Sequence, residues 1–190
     1  RYYRLYNYQK PCLLMDSSLE KNSLKDFIKI SKWLKSNDFS SPEIYIEDKN
    51  LGVLVIEDFK NTKYSILCKK EKEKKKFYYR QAIKLLILLS EKKLPNFVKD
   101  YDYRTLKNEL DLYIKWGLNI EKSKKTLRDW NNIWSSLLNN ISYKKTSVVL
   151  RDFHVDNIFY LKNRKKLEKV GVIDFQDSLI GHPAYDLVSL

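Results

Sequence analysis

The sequence of 190 residues contains few cysteines and glycines and no long apolar run. Its two cysteines, Cys12 and Cys68, form no C-x-x-C pair, so we expect neither a disulfide framework nor a zinc site, and a cytoplasmic location suits them. The longest apolar stretch, Leu85 to Leu89, is far shorter than the ~20 residues of a transmembrane helix, which predicts no membrane span. The four glycines form no G-x-G-x-x-G or Walker pattern, so the sequence contains no glycine-rich phosphate loop.

Positive charge is in excess, with a formal net charge of +13. Such an excess raises the question of nucleic acid or an anionic membrane as partner. However, the densest block of lysines, residues 69–76, is interrupted by glutamates and lacks the aromatic side chains on which bases stack. We therefore expect most of the charge to be solvated surface and the partner to be a small-molecule substrate.

Two short apolar runs each end in an aspartate. Residues 147–150 precede Arg151 and Asp152, and residues 170–173 precede Asp174. Their β-branched and aliphatic composition predicts short buried strands, whose acidic ends can be held side by side. Asn157 follows Asp152 by five residues, which is the spacing between the catalytic aspartate and the metal-binding asparagine of kinases.

These groups match the needs of phosphoryl transfer. One carboxylate must orient and deprotonate the attacking hydroxyl, while an amide and a second carboxylate hold Mg²⁺ against the nucleotide phosphates. The pattern predicts Asp152 as the catalytic base and Asn157 and Asp174 as magnesium ligands. The local chemistry thus indicates an α+β, two-lobed, nucleotide- and Mg²⁺-dependent phosphotransferase with a hydroxyl acceptor.

Other interpretations of the same residues are possible. Asp and Asn commonly form turns, but the coincidence of two strand-terminal acids with a correctly spaced Asn favours a site. A rival metal site would use His154, Asp156, Asp174 and His182 for zinc or non-haem iron, but it leaves Asn157 without a role. A nucleotide-binding pseudokinase or a basic interaction module is the non-enzyme alternative.

The strings L-R-D-F-H-V-D-N and V-I-D-F-Q-D-S-L-I-G-H-P-A-Y-D-L-V-S-L resemble the aminoglycoside phosphotransferase superfamily. Within it, they are most similar to bacterial kinases that act on the anomeric hydroxyl of N-acetylmuramate and N-acetylglucosamine. Weaker similarities at residues 1–5, 14–16, 54–58 and 109–116 extend the resemblance over most of the chain. The resemblance implies a protein-kinase-like fold and ATP-dependent phosphorylation of an amino sugar at C1, in peptidoglycan recycling. An aminoglycoside- or choline-type kinase is the nearest alternative.

The resemblance also implies roles for particular residues. Glu57, Asp58 and Phe59 correspond to the hinge whose backbone meets adenine. The resemblance also implies a structural role for Asp186 next to the active site, and we expect this side chain to hydrogen-bond the backbone near the catalytic loop. Gln176 stands in place of the D-F-G glycine, which argues against a mobile kinase-like switch.

One expected group is missing, because the run Cys12 to Asp16 offers no V-A-I-K-type lysine for the α- and β-phosphates. Arg4 or Arg1 on the preceding strand could supply the positive charge. Their alternation with tyrosine is equally typical of an exposed edge strand. Arg4 is our candidate for nucleotide binding.

The predicted elements divide into two lobes. We expect both lobes to be truncated, because the sequence begins without methionine and stops in what reads as the start of a helix. Residues 1–59 form a partial small lobe, with strands at Arg1–Tyr8, Pro11–Met15, Glu43–Glu47 and Leu51–Glu57 and a helix at Leu24–Ser36. Residues 60–190 form a partial, mainly helical large lobe, with helices at Lys74–Glu91, Tyr103–Trp116 and Ser123–Asn139 before the catalytic strands. Two apolar helical stripes are expected in the core: Leu85, Leu88 and Leu89 in one, and Leu106, Leu110, Tyr113 and Ile114 in the other. Three tryptophans are expected in the core or lining a groove: Trp116, Trp130 and Trp134.

Overall fold

The computed structural model describes residues 1–6, 9–117, 123–140 and 145–190. The first part of the chain is an antiparallel sheet with strand order β1-β2-β4-β3. The first predicted strand is shorter than expected, since β1 ends at Leu5 and residues 7–8 lie outside the described residues. The strands and the helix α1, which connects β2 to β3, have the following bounds: β1 Tyr2–Leu5, β2 Cys12–Asp16, α1 Lys21–Ser36, β3 Ile44–Asp48 and β4 Val53–Glu57.

Helix α1 packs one apolar stripe into the core. Its buried side chains are the ones that helical spacing predicts: Leu24, Phe27, Ile28, Ile30, Ser31 and Leu34. The polar member, Ser31, exchanges a hydrogen bond with the hydroxyl of Ser41 at 2.8 Å, so no polar group is left unpaired on this stripe. The 3.6-residue period therefore identified both the element and its buried face.

The second part of the chain is mainly helical. The predicted helix from Tyr103 is α-helical to Leu112 and continues as a π-helical turn over Tyr113–Gly117. Asp102 caps it, because its Oδ1 accepts the backbone N–H of Thr105 at 2.8 Å. Helix α2 was not predicted. The helices are α2 Tyr64–Lys70, α3 Lys75–Ser90, α4 Tyr103–Leu112, α5 Lys124–Asn140 and α6 Ala184–Ser189.

The two strands that end in aspartates do not pair with each other. Strand β5 (Ser147–Val149) pairs with β8 (Leu179–Gly181), and β7 (Val170–Val172) pairs with β6 (Ile158–Tyr160). The sequence analysis did not predict β6 or β8. The backbone N–H of Ile173 donates to the carbonyl of Asn157 at 3.1 Å, which extends the β6–β7 pairing as far as the residue before Asp174.

Contacts between the sheet part and the helical part hold the cleft in place. Phe27 of α1 stacks on Phe175, with ring centroids 4.9 Å apart. The hydroxyl of Ser40, which follows α1, donates to the carbonyl of Glu168 at 2.6 Å, and the carbonyl of Ser40 accepts the N–H of Val172 at 2.9 Å. The small sheet is thus attached to the strand that leads to Asp174. Within the described ranges, no helix has the length and apolar character needed to cross a membrane.

Candidate active site

Asp152 follows β5 in a loop whose backbone is held by a buried carboxylate. Arg151 adopts a left-handed conformation, with φ of 70°, which is unfavourable for a non-glycine residue. Asp186 of α6 is 2% exposed, and its two carboxylate oxygens accept the backbone N–H groups of Leu150 at 2.7 Å and Arg151 at 2.9 Å. The hydrogen bonds expected from Asp186 to the catalytic-loop backbone are confirmed.

The side chain of Arg151 is also fixed. Its guanidinium lies 2.5 Å from a carboxylate oxygen of Glu109 on α4, and the hydroxyl of Tyr101 donates to the other oxygen. Arg151 Nη1 donates to the carbonyl of Asp177 at 3.3 Å. Sequence reasoning did not identify Glu109 as a partner of the loop, because no local pattern links residues this far apart in the chain.

Asn157 is oriented by the loop it belongs to. Its side-chain Nδ2 donates to the carbonyl of Asp152 at 3.1 Å and lies 3.2 Å from His154 Nε2. With the amide nitrogen occupied, Oδ1 is the atom available to a cation. His154 Nδ1 accepts the N–H of Asp156 at 3.3 Å, so this histidine shapes the loop.

The rival metal site is wrong. The described residues include all of its members, and among them no group of three or more His, Cys, Asp or Glu side chains is arranged to hold a metal ion. His182 instead accepts the N–H of Ala184 at 3.2 Å through Nδ1. An Asp–Asn pair that completes its metal coordination with nucleotide phosphates does not need such a cluster.

Asp174 lies at the end of β7 in a left-handed conformation, with φ of 61°. Gln176 Nε2 donates to its Oδ1 at 2.8 Å, so the residue in place of the D-F-G glycine holds the carboxylate. The next residue, Phe175, is fully buried against Phe27. These contacts fix Asp174 from its own segment and from α1.

The two aspartates influence each other. The pKa of Asp152 is raised, mainly by burial and then by the negative charge of Asp174, while Arg151 and His154 oppose the shift. The carboxylates therefore lie within electrostatic range of each other. A raised pKa makes Asp152 a better proton acceptor than an aspartate of ordinary pKa.

A cavity of about 230 Å³ lies between the sheet and the residues that follow β4. Its apolar lining includes Leu13, Ile56, Phe159 and Ile173. Ile173 immediately precedes Asp174 in the chain. Predominantly apolar clefts with a few polar groups are typical small-molecule sites. The predicted hinge residues also line this cavity: Glu57, Asp58 and Phe59.

The charged side chains of the hinge are engaged with neighbours. Glu57 Oε2 lies 2.6 Å from the guanidinium of Arg164 and accepts the N–H of Glu43 at 3.1 Å. Asp58 Oδ2 lies 2.9 Å from Nε of Arg4. This arrangement fits a hinge that would meet a ligand through its backbone. It also places Arg4 in the cleft near the hinge, with its charge paired.

Gly171 of β7 makes room for the hinge. A Cβ at this position would lie 2.7 Å from Cε2 of Phe59 and 2.9 Å from Cδ1 of Leu161. We expect Gly171→Ala to lower the free energy of unfolding by about 1–3 kcal/mol, measured by urea denaturation, because overpacking costs this much. Gly181→Ala in β8, where the nearest contact is 3.1 Å, is the matched control. An equal loss in both variants would contradict this explanation.

Asp186 should make stability depend on pH. Burial raises its pKa from 3.8 to about 6, although its two backbone hydrogen bonds oppose the shift. The folded state therefore binds the proton more tightly than the unfolded state, and the free energy of unfolding should fall as pH rises from about 4 to 6. The loss is up to about 3 kcal/mol, since each unit of pKa shift corresponds to about 1.4 kcal/mol.

Urea unfolding of the wild type and of Asp186→Asn between pH 4 and 7 isolates this contribution. The free energy of unfolding of the wild type minus that of Asp186→Asn should fall by up to about 3 kcal/mol as pH rises from about 4 to 6, and change little above that. A difference that does not vary with pH would show that Asp186 titrates normally.

A second, larger cavity of about 640 Å³ lies between α4 and α5 and is mostly apolar. Trp130 and Trp134 line it, as predicted, and Tyr113 stacks on Trp130 with centroids 5.9 Å apart. The prediction for Trp116 is wrong, since this side chain is 76% exposed. The predicted α4 stripe is only partly correct, because Ile114 is buried but Tyr113 is 55% exposed at the open cavity.

Comparisons with known proteins agree with this geometry. The model of the phosphotransferase enzyme family matches residues 1–190. Similar relatives include the N-acetylmuramate/N-acetylglucosamine kinases of Caulobacter vibrioides, 27% identical over 86% of this chain and 48% of that protein, and of Neisseria meningitidis, 28% identical over 100% of this chain and 57% of that protein. The chain thus spans about half the length of the curated relatives it matches.

Solved structures show the same fold. The choline kinase LicA from Streptococcus pneumoniae superposes with a TM-score of 0.66 at 16% identity, covering 100% of this chain and 64% of that one. An aminoglycoside-3'-phosphotransferase of type VIII gives a TM-score of 0.67 at 14% identity, covering 100% and 71%. The predicted α+β, protein-kinase-like fold is confirmed. The chain belongs to the phosphotransferase enzyme family.

Proposed function

We propose that the protein is an ATP- and Mg²⁺-dependent kinase that phosphorylates N-acetylmuramate or N-acetylglucosamine at the C1 hydroxyl. The observation that supports it most is the proximity of Asp152, Asn157 and Asp174: Asn157 Nδ2 donates to the carbonyl of Asp152, the residue before Asp174 donates its N–H to the carbonyl of Asn157, and the charge of Asp174 raises the pKa of Asp152. The names of the relatives support an amino sugar as acceptor. A cytoplasmic role in cell-wall sugar salvage follows from this reaction class.

Asp152 would accept the proton of the acceptor hydroxyl. Its raised pKa and the fixed loop backbone suit a general base. An anomeric hydroxyl is more acidic than an ordinary alcohol, so its deprotonation by a carboxylate is easier. The base therefore needs only to orient the hydroxyl and take its proton as the bond to phosphorus forms.

The residues fit a magnesium ion and a nucleotide. Asn157 Oδ1 and the carboxylate of Asp174 would hold Mg²⁺, because oxygen ligands of this kind are the ones it prefers. When bound, the ion neutralises the charge that develops on the transferred phosphoryl group. Adenine would bind in the apolar cavity beside Phe59, where the hinge backbone would form hydrogen bonds with the base. Arg4 would lie next to the bound adenine.

Phosphorus NMR of the full-length protein tests this proposal. The protein is incubated with MgATP and an equal mixture of N-acetylmuramate, N-acetylglucosamine, choline and kanamycin. A new sugar-1-phosphate resonance with matching ADP is the expected result.

Other outcomes each contradict the proposal. A phosphocholine or phosphorylated kanamycin signal would establish the reaction class with another acceptor. Bound but unchanged ATP in every mixture would favour a pseudokinase.

A further inference from the structure

The register of the small sheet determines which side chains face the cleft. Tyr2 lies opposite Met15 in the β1–β2 pair, and Arg4 lies opposite Leu13. Directly opposed residues of antiparallel strands point to the same face, and so do residues two apart on one strand. Leu13 and Arg4 line the cleft, so Met15 and Tyr2 lie on that face too.

Strand β2 presents no cation at this face. Kinases carry the lysine that pairs the nucleotide phosphates on the corresponding strand. Here the residue after Leu13 on the same face is Met15, which is apolar and 5% exposed. The charged side chains that line the described cleft come from β1 and from residues 57–63: Arg4, Glu57, Asp58, Lys60 and Lys63.

Tyr2 lies in the same cleft, within electrostatic range of Asp174, the proposed metal ligand. It lines the same cavity as Ile173, which immediately precedes Asp174. Tyr2 is 53% exposed, so part of its side chain is open to a ligand in the cleft. Its pKa is raised, mainly by burial and then by the negative charge of Asp174, so the hydroxyl lies within electrostatic range of that carboxylate.

We propose that the Tyr2 hydroxyl donates a hydrogen bond to a phosphate oxygen of the bound nucleoside triphosphate, in place of the lysine that β2 lacks. The inference rests on the proposed kinase function and adds a phosphate-binding residue to it. A tyrosine hydroxyl is a neutral donor, so it orients the phosphate chain without neutralising it. Neutralisation is then left to the metal ion held by Asn157 and Asp174.

The test compares Tyr2→Phe with Tyr3→Phe in the full-length protein. Both changes remove one hydroxyl, but Tyr3 points to the opposite face of β1 and does not line the cleft. Calorimetry measures the binding of MgATP and of adenosine to each variant. Tyr2→Phe should weaken MgATP roughly tenfold or more, because hydrogen bonds to charged groups are among the stronger ones. Adenosine should bind as it does to the wild type, and Tyr3→Phe should change neither ligand.

Two results would overturn the inference while leaving the kinase function intact. One is wild-type affinity for MgATP in Tyr2→Phe. The other is an equal loss for MgATP and adenosine, which would assign Tyr2 to base or ribose packing. A wild-type protein that binds no MgATP would instead reject the proposed function, and the phosphate contact with it.

Discussion

Asp152→Asn should lower the turnover number by about 10²–10⁴-fold, the usual contribution of a general base, while MgATP binds almost as tightly as to the wild type. Asparagine has nearly the same shape as aspartate, and the carbonyl of residue 152 remains available to the amide of Asn157. Only the capacity to accept the acceptor's proton is lost. Coupled measurement of ADP release gives the turnover number, and calorimetry gives the nucleotide affinity.

Asp156→Asn is the control for this experiment. Asp156 belongs to the same loop and is also exposed, but a hydrogen bond from Ser65 lowers its pKa, whereas the pKa of Asp152 is raised. We expect near-normal turnover from this variant. Substantial turnover in Asp152→Asn, or an equal loss of nucleotide affinity and rate, would be incompatible with Asp152 as the base.

The sequence predicted the parts of the site that depend on short-range pattern. Asp152 and Asn157 are five residues apart on one loop, and their mutual arrangement follows from the turn between them. Asp174 follows a buried strand of its own. The buried stripe of α1 was likewise predictable, because a period of 3.6 residues over sixteen residues leaves little ambiguity.

Long-range partners could not be predicted from the sequence. The pairs Arg151–Glu109 and Arg164–Glu57 join residues 42 and 107 positions apart, and charged residues are too common for such pairs to be recognised by pattern. Strands β6 and β8 contain only three residues each, too few to show alternation, and the equally short β5 and β7 were recognised because an aspartate follows each apolar run. Such elements become strands only because a partner strand lies beside them.

The hinge shows how these unpredicted contacts serve the site. Arg164 comes from the turn between β6 and β7, pairs with Glu57, and lies over the ring of Phe59 at 5.4 Å. The same hairpin carries Gly171 against Phe59 and leads to Asp174. One hairpin therefore carries contacts to both the proposed adenine site and the proposed metal ligand Asp174, so a single structural element links the two.

Asp174→Ala should abolish the dependence of nucleotide affinity on magnesium. In the wild type, ATP should bind more tightly with Mg²⁺ than with EDTA, because under the proposal the carboxylate of Asp174 and Oδ1 of Asn157 would share the ion with the phosphates. Changes at partners of metal ligands typically cost 10–100-fold in metal affinity, so loss of a direct ligand should cost at least about tenfold in MgATP affinity. Calorimetry in both conditions measures the effect.

The left-handed conformation of Asp174 requires a second variant, because alanine tolerates a φ of 61° poorly. Asp174→Asn accepts this conformation more readily and removes only the charge. If magnesium binding is the cause, both variants should lose MgATP affinity and keep the affinity measured in EDTA. Loss in Asp174→Ala alone, accompanied by a lower free energy of unfolding, would assign Asp174 a structural role and remove it from the metal site.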